Sequence, residues 1–148
     1  MTILLDKIHS NEQYFSEPIP KMVQRLKAEH REFRIQLIQI EEVSDFSWQK
    51  AIEMLKEIRK PILRHAVEEE ARIVRVIMQK AKDESEESIR VMQEHRGIIE
   101  FLNNRIPQLE GSSQEVGDEI NHFSDSMRKH FSEEEEIVFP LALKVDSI

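Results

Sequence analysis

Six polar side chains occupy positions where the surrounding pattern of residues is otherwise apolar. They are four histidines and two glutamates: His30, His65, Glu69, His95, His130 and Glu134. His65 precedes Glu69 by four residues, and His130 precedes Glu134 by the same spacing. Residues four apart lie on the same face of an α-helix, separated by about 6 Å along its axis. Each pair can therefore direct an imidazole and a carboxylate to the same side of a helix.

The chemistry that this combination favours is metal binding. Two carboxylates buried in an apolar interior are costly unless they are protonated or neutralised, and no lysine or arginine shares their positions. Two divalent or trivalent cations would neutralise them, with the four imidazoles as terminal ligands and both carboxylates bridging. The chain contains no cysteine, so the ligands must be nitrogen and oxygen atoms, a set that suits iron, manganese, zinc or cobalt.

The number of ligands predicts an open coordination position. Two histidines and two bridging glutamates give each cation four protein ligands, and a bridging oxide or hydroxide makes a fifth. An octahedral ion then keeps one position for a small ligand, whereas a closed structural site has none. We therefore expect O₂, NO or peroxide as the partner of this site.

These residues must be positioned by helices, because the composition leaves few places where regular structure can end. The chain has only three Gly and five Pro in 148 residues, and the alternation typical of strands is nowhere sustained. Turn signals divide it into four helices, at about 18–42, 47–82, 85–107 and 113–143. Short connections between long helices predict an all-α fold, an antiparallel up-down four-helix bundle.

The predicted division of the chain depends on a few local signals. Candidate helix caps are Ser16 before Pro18, Asp45 or Ser47, the segment 83–85 and the segment 111–113. We expect Pro61 to kink the second helix without ending it. Residues 1–17 are then an N-terminal arm, and residues 18–148 form the bundle domain.

The apolar residues of each helix step by three and four, as the core positions of a bundle do. These positions form an apolar seam, which is interrupted near the middle of each helix by the six polar residues. The six should therefore meet at one level of the bundle. The seam is expected to continue on the second helix through Ile73 and Val76, and on the fourth through Ile137 and Leu141.

An internal repeat relates the two halves of the chain. Positions 65 apart carry the same residues at the chemically distinctive places, since Glu29, His30 and Arg31 correspond to Glu94, His95 and Arg96, and His65, Glu69 and Glu70 correspond to His130, Glu134 and Glu135. Such a duplication predicts a site with approximate two-fold symmetry.

Charge and composition exclude several other functions. The formal net charge is −8 and the basic residues are dispersed among acidic ones, so we expect no nucleic-acid ligand. Neither a signal peptide nor a membrane span is expected from the short, interrupted apolar runs. The absence of cysteine fits a reducing compartment, and we predict a cytoplasmic protein.

The two histidine and glutamate motifs resemble those of the hemerythrin-like, or HHE cation-binding, domains. Residues 65–70 read HAVEEE and residues 130–140 read HFSEEEEIVFP, and the resemblance covers about residues 18–143. It implies a non-haem di-iron centre with a bridging oxide or hydroxide in a four-helix bundle. One iron would then be held by His30 and His65, the other by His95 and His130, with both irons bridged by Glu69 and Glu134.

The chain departs from the oxygen-carrying hemerythrins at two places. Those proteins have a second histidine one turn after the one on the third helix, where this chain has Ile99. Their last bridging carboxylate is an aspartate one residue later than Glu134. The resemblance therefore implies the family's metal centre, while the two departures argue against reversible oxygen carriage.

Three functions are compatible with these features. The first is a binding module that binds or senses O₂, NO, a related oxidant or iron itself, and the expected role is binding rather than turnover. The second is a di-iron oxidase or peroxidase, and the third a structural bundle held together by zinc. A metal-free alternative is a polar network that fixes helix register. We expect His9 and His122 to lie outside the site, and Tyr14 to cover a bundle end. In the acidic run 133–136 only Glu134 is expected to be a ligand, with Glu135 as a hydrogen-bond acceptor behind the ligands.

Overall fold

Four long helices pack as an antiparallel bundle in the computed structural model, which describes residues 16–148. The first helix is α1 (Ile19–Ser44). The second runs through α2 (Trp48–Glu68), a π-helical segment (Glu69–Val74) and α3 (Arg75–Lys80). It continues through Pro61, as the sequence predicts.

The third and fourth helices also contain π-helical segments. The third follows a 3-10 turn (Lys82–Glu84) and consists of α4 (Glu86–Glu100), a π-helical segment (Phe101–Arg105) and a second 3-10 turn (Ile106–Gln108). The fourth consists of α5 (Ser113–Glu133), a π-helical segment (Glu134–Val138) and α6 (Phe139–Asp146). Each helix packs against its two neighbours, which confirms the predicted all-α bundle.

Serine caps start the second and fourth helices at equivalent places of the repeat. The Ser47 hydroxyl accepts a hydrogen bond from the Lys50 backbone N–H, and the Ser112 hydroxyl accepts one from Glu115. Such caps satisfy an otherwise unpaired donor of the first turn and are worth about 1 kcal/mol. The turn before Ser112 contains Gly111 at φ 140°, a backbone angle that residues with a Cβ rarely adopt.

Two of the predicted caps are wrong. The first helix begins at Ile19 with Pro18 at its N-cap, so it has no capping side chain, and Ser16 lies too early to cap it. Ser85 does precede α4, but its hydroxyl donates to the carbonyl of Lys82 in the preceding 3-10 turn instead of accepting from the helix. The hydroxyl of Ser85 is thus used in a hydrogen bond of the turn and does not cap the helix.

The buried face shifts by one residue beyond the π-helical segments of the second and fourth helices. On the second helix, Ile77 is buried where the sequence pattern predicts Val76, and on the fourth, Ala142 is buried where it predicts Leu141. A π turn closes an i to i+5 hydrogen bond and so contains one residue more than an α turn. The strict α-helical spacing used for the prediction is therefore wrong after these segments.

Two apolar layers fill the bundle. The first layer lies at the end of the bundle near the first and third interhelical turns and includes Leu37, Leu55 and Ile120. The second layer lies at the opposite end and includes Leu26, Ile73 and Phe139. On every helix the polar residues singled out by the sequence fall between these two layers. Each fully buried aliphatic side chain contributes about 1.5–3 kcal/mol of burial free energy, so these layers hold the polar level in place.

The predicted N-terminal arm is described only at its end. Residues 1–15, which include His9 and Tyr14, lie outside the described residues, so the division into an arm and a bundle domain stays a prediction. The described end is held by Glu17, whose carboxylate accepts from Arg25 and whose carbonyl accepts from Arg72. No helix within residues 16–148 combines the length and apolar character that crossing a membrane requires.

Candidate metal centre

The six polar residues predicted as ligands converge between the two apolar layers. We call this group the cage; its members, all buried, are His30, His65, Glu69, His95, His130 and Glu134. Their potential ligand atoms form two groups, each with atoms within 4.8 Å of one another. One group contains the histidines of the first two helices and the other those of the last two, and both glutamates belong to both groups.

The glutamates of the cage stand at the first residues of π-helical segments. Glu69 opens the segment of the second helix, and Glu134 opens that of the fourth. The preceding α-helices supply His65 and His130 one turn earlier. Single π turns inside α-helices are common at functional sites because they change the direction of side chains locally. Helical periodicity contains no signal for these segments, and sequence analysis missed them.

Each glutamate faces one histidine from its own helix and one from the opposite half. A Glu69 oxygen lies 3.2 Å from Nε2 of His65, and its other oxygen lies 3.2 Å from Nε2 of His95. One oxygen of Glu134 lies 3.3 Å from Nε2 of His130 and 3.1 Å from Nε2 of His30. All four Nε2 atoms therefore point toward the two carboxylates at the centre.

The other ring nitrogen of each histidine donates to a glutamate outside the cage. Nδ1 of His30 lies 2.6 Å from Glu135, that of His65 2.7 Å from Glu29, that of His95 3.2 Å from Glu70, and that of His130 2.9 Å from Glu94. Because a carboxylate only accepts, each Nδ1 carries a hydrogen. In the neutral imidazole, Nε2 then presents a lone pair to the centre, the tautomer that metal ligation requires.

The hydrogen bonds of the cage obey the repeat of the sequence. Adding 65 to the numbers of the His65 and Glu29 pair gives the His130 and Glu94 pair. The His30 and Glu135 pair maps onto His95 and Glu70 when 65 is added to the first number and subtracted from the second, which exchanges the two halves. The salt bridges outside the cage repeat as well, since Arg25 binds Glu68 at 2.7 Å and Arg90, 65 residues later, binds Glu133 at 3.0 Å. The predicted two-fold symmetry therefore extends to individual contacts.

The cage passes a direct test of whether a cation would fit. Among the described residues, both carboxylate oxygens of Glu69 and both of Glu134 are buried without a hydrogen-bond partner of acceptable geometry, as is Nε2 of His130. Leaving a buried acceptor unpaired costs about 1–3 kcal/mol, and more when it is charged. Cations at the centre would ligate all of these atoms at once, so the residues present fit a pair of metal ions.

A short contact between two histidines of the cage supports the same conclusion. Nε2 of His30 lies 3.0 Å from Nε2 of His65. Since both rings donate from Nδ1, two neutral imidazoles would point lone pairs at one another, which is repulsive. Either a proton or a cation between them removes the repulsion. Stacking of His30 against Phe131, with ring centroids 4.3 Å apart, holds the ring in this position.

The electrostatics of the cage make protons and cations competitors for the same atoms. Burial alone would lower the pKa of His65, but the carboxylates of Glu69 and Glu29 raise it to about 9. Burial opposes the shift at His95 too, yet Glu134 and Glu69 raise its pKa to about 10. Cations that bind at Nε2 must displace these protons.

The pKa values of the two carboxyls in the cage are shifted in opposite directions. Burial raises the pKa of Glu69, and the neighbouring charge of Glu134 raises it further. Burial would also raise the pKa of Glu134, but contacts with Glu69 and with the imidazoles of His130 and His30 hold it well below its usual range. Like charges this close disfavour ionisation of both carboxyls at once.

His122 lies outside the cage, as the sequence analysis expects. His122 is exposed, and Glu119, which precedes it by three residues, pairs with Arg105 at 2.8 Å on the surface. In the run from Glu133 to Glu136 only Glu134 enters the cage, while Glu135 acts as the hydrogen-bond acceptor suggested by its position.

Sequence analysis missed three of the four outer acceptors, namely Glu29, Glu70 and Glu94. A signal for them was present, because the repeat matches Glu29 with Glu94 and Glu70 with Glu135. Each stands directly before or after a cage residue. Adjacent residues on a helix diverge by about 100°, so the pattern alone directs them away from the centre. Only the packing of neighbouring helices brings each one to the histidine of another helix.

The fold and the site define a helical bundle with a buried cage of histidines and carboxylates shared by two halves. The profile of the hemerythrin HHE cation-binding domain matches residues 21–144 of the chain. The chain belongs to this family, and membership implies cation binding. The two groups of the cage are clusters of residues that could hold a metal ion. No curated protein and no solved structure matches the chain.

Proposed function

We propose that the protein is a non-haem di-iron domain that binds or senses a small oxidant such as O₂, NO or peroxide. His30 and His65 would hold one iron, His95 and His130 the other, and Glu69 and Glu134 would bridge them. A bridging oxide or hydroxide would complete the centre. When bound, the pair of irons supplies a redox-active centre with room for a small ligand.

The observation that carries this proposal is the arrangement of nitrogen atoms around the two carboxylates. All four Nδ1 atoms donate to outer glutamates, so all four Nε2 atoms face the centre. The carboxylate oxygens there have no hydrogen-bond partner among the described residues. A polar network that fixes helix register would instead satisfy its own buried groups, which this arrangement does not do.

The outer glutamates support ligation in a specific way. A carboxylate that accepts from Nδ1 keeps the imidazole in the required tautomer and raises its basicity at Nε2. Arg25 in turn fixes Glu29 at 2.8 Å, and Arg34 fixes Glu135 at 2.9 Å. These contacts orient the rings before any ion enters, so little reorganisation would accompany binding.

Metal analysis followed by optical spectroscopy tests the proposal. Bound metals are quantified in protein purified without oxygen, and again after it has been stripped of metal and reconstituted with ferrous iron alone. We expect two irons per chain and, after air is admitted, an absorption band of an oxo-bridged pair. Retention of zinc alone would contradict the iron proposal and favour the structural alternative.

A further inference from the structure

The cage is symmetric, but the residues that cover its two ends are not. We call the residues around His30 the closed face: Arg34, Glu135 and Phe139. Phe139 stacks on His30 at a centroid distance of 5.6 Å, and Phe131 stacks on the same ring at 4.3 Å. The His30 side chain has no exposed area, so aromatic rings seal this end of the cage.

Of the three equivalent positions of the repeat around His95, two carry a smaller, uncharged residue and the third carries glutamate again. We call them the open face: Ile99, Glu70 and Val74, which correspond to Arg34, Glu135 and Phe139. The position equivalent to Phe131 is Ala66. Two aromatic rings of the closed end are thus replaced by an alanine and a valine, and 4% of the His95 side chain is exposed where the His30 side chain has no exposed area.

The outer glutamate of the open face is more exposed than that of the closed face and has fewer partners. On the closed face, Glu135 accepts from both His30 and Arg34, and 26% of its side chain is exposed. On the open face, Glu70 accepts from His95 at 3.2 Å and is 54% exposed, because Ile99 stands where the equivalent arginine would be. The carboxylate next to His95 is therefore held less firmly.

A groove meets the cage at the open face. It has a volume of about 980 Å³, runs between the second and third helices, and is lined by all three residues of the open face and by His95 itself. Met92 adds to the apolar part of its wall, while Gln93 and Arg96 lie at its exposed edge. Glu100, Asn103 and Asn104 add a polar part to the wall, so the groove can admit small polar or singly charged molecules as well as apolar ones.

We propose that small oxidants reach the cage through this groove and bind at its His95 and His130 half, not at the His30 and His65 half. The inference rests on the proposed function, since it concerns access to the same site. It assigns Val74 and Ile99 as the residues that control entry. The ligand class is a molecule of two or three atoms, uncharged or singly charged.

The test makes the open face resemble the closed one. Val74→Phe with Ile99→Arg introduces the residues found at the equivalent positions, and azide is the probe. Stopped-flow absorption measures its association with the iron-loaded protein. We expect the double variant to retain two irons per chain and to bind azide at least about tenfold more slowly. Ile35→Trp, an exposed position on the first helix, is the matched control and should stay within about twofold.

A second variant tests the same groove in case the first variant does not fold. Gln93→Trp places a large ring at the exposed edge of the groove, where it disturbs no core contact, and should also slow azide. Two irons with unchanged azide rates in both groove variants would overturn the inference and leave the proposed function standing. Wild-type protein that binds no iron would overturn the proposed function, and this inference with it.

Discussion

His30 and His65 point their Nε2 atoms at one another across 3.0 Å while their Nδ1 atoms donate outward to Glu135 and Glu29. This contact joins two helices that are adjacent in sequence, and the symmetric half places the ring centroids of His95 and His130 4.7 Å apart. The two Nε2 atoms face the same point, and each ring is held in place by the glutamate at its Nδ1 atom. This arrangement is typical of two histidines that ligate one metal ion. The following predictions depend on it.

Removal of a bridging carboxylate should empty the site. Glu69→Ala or Glu134→Ala removes a ligand from both groups of the cage, so we expect bound metal to fall from two ions per chain to one or none. Elemental analysis of reconstituted protein measures this. His122→Ala is the matched control, because His122 is an exposed histidine of the fourth helix, and it should keep the wild-type content. Equal metal loss in the control would refute the ligand assignment.

The outer glutamates should tune metal affinity without changing stoichiometry. Glu29→Gln and Glu94→Gln each weaken the acceptor behind one histidine, and loss of such a contact lowers metal affinity about 10–100-fold. Competition with a chelator provides the measurement, and two ions should still bind at saturation. Glu32→Gln changes an exposed glutamate of the same helix as Glu29 and should leave affinity unchanged. A purely structural role for Glu29 would instead lower stability and leave affinity intact.

Stability and metal affinity should respond to pH in opposite directions. The pKa values of His65 and His95, about 9 and 10, lie above the usual 6.5, so the folded chain without metal binds protons more tightly than the unfolded chain. Their stabilising effect is complete below pH 6.5 and is lost as the pH rises through 9 to 10. The raised pKa of Glu69 acts with the same sign.

Thermal unfolding of metal-free protein between pH 7 and pH 10, at constant ionic strength, is the measurement. We expect the melting temperature to fall over this range, whereas the metal-loaded protein, whose Nε2 atoms have lost their protons, should change less. Metal affinity should rise over the same interval. A melting temperature of the metal-free form that increases with pH would contradict the proton-filled cage.

Helical periodicity was sufficient to predict the four helices and the six cage residues because both follow from one pattern. A polar residue at a buried helical position must meet its partners at the centre, whichever residues surround it. The π-helical segments at Glu69 and Glu134 could not be predicted in this way, since an extra residue in one turn is decided by how the helix closes around the site. The shift of the buried face to Ile77 and Ala142 follows from them.

The difference between the two ends of the cage also required the structure. The repeat shows that Phe139 corresponds to Val74 and Arg34 to Ile99, but spacing alone does not say that these residues cover the histidines. Their contacts are made between helices far apart in sequence, as in the pair of Arg34 and Glu135. Tertiary packing therefore decides which half of a symmetric site is accessible.

The most direct test of the account is an anomalous diffraction map of crystals of iron-loaded protein, recorded at the iron absorption edge. The account predicts two peaks about 3.5–4 Å apart inside the cage, one beside His30 and His65 and the other beside His95 and His130. A cage without anomalous density, with metal bound only at surface carboxylates, would contradict it.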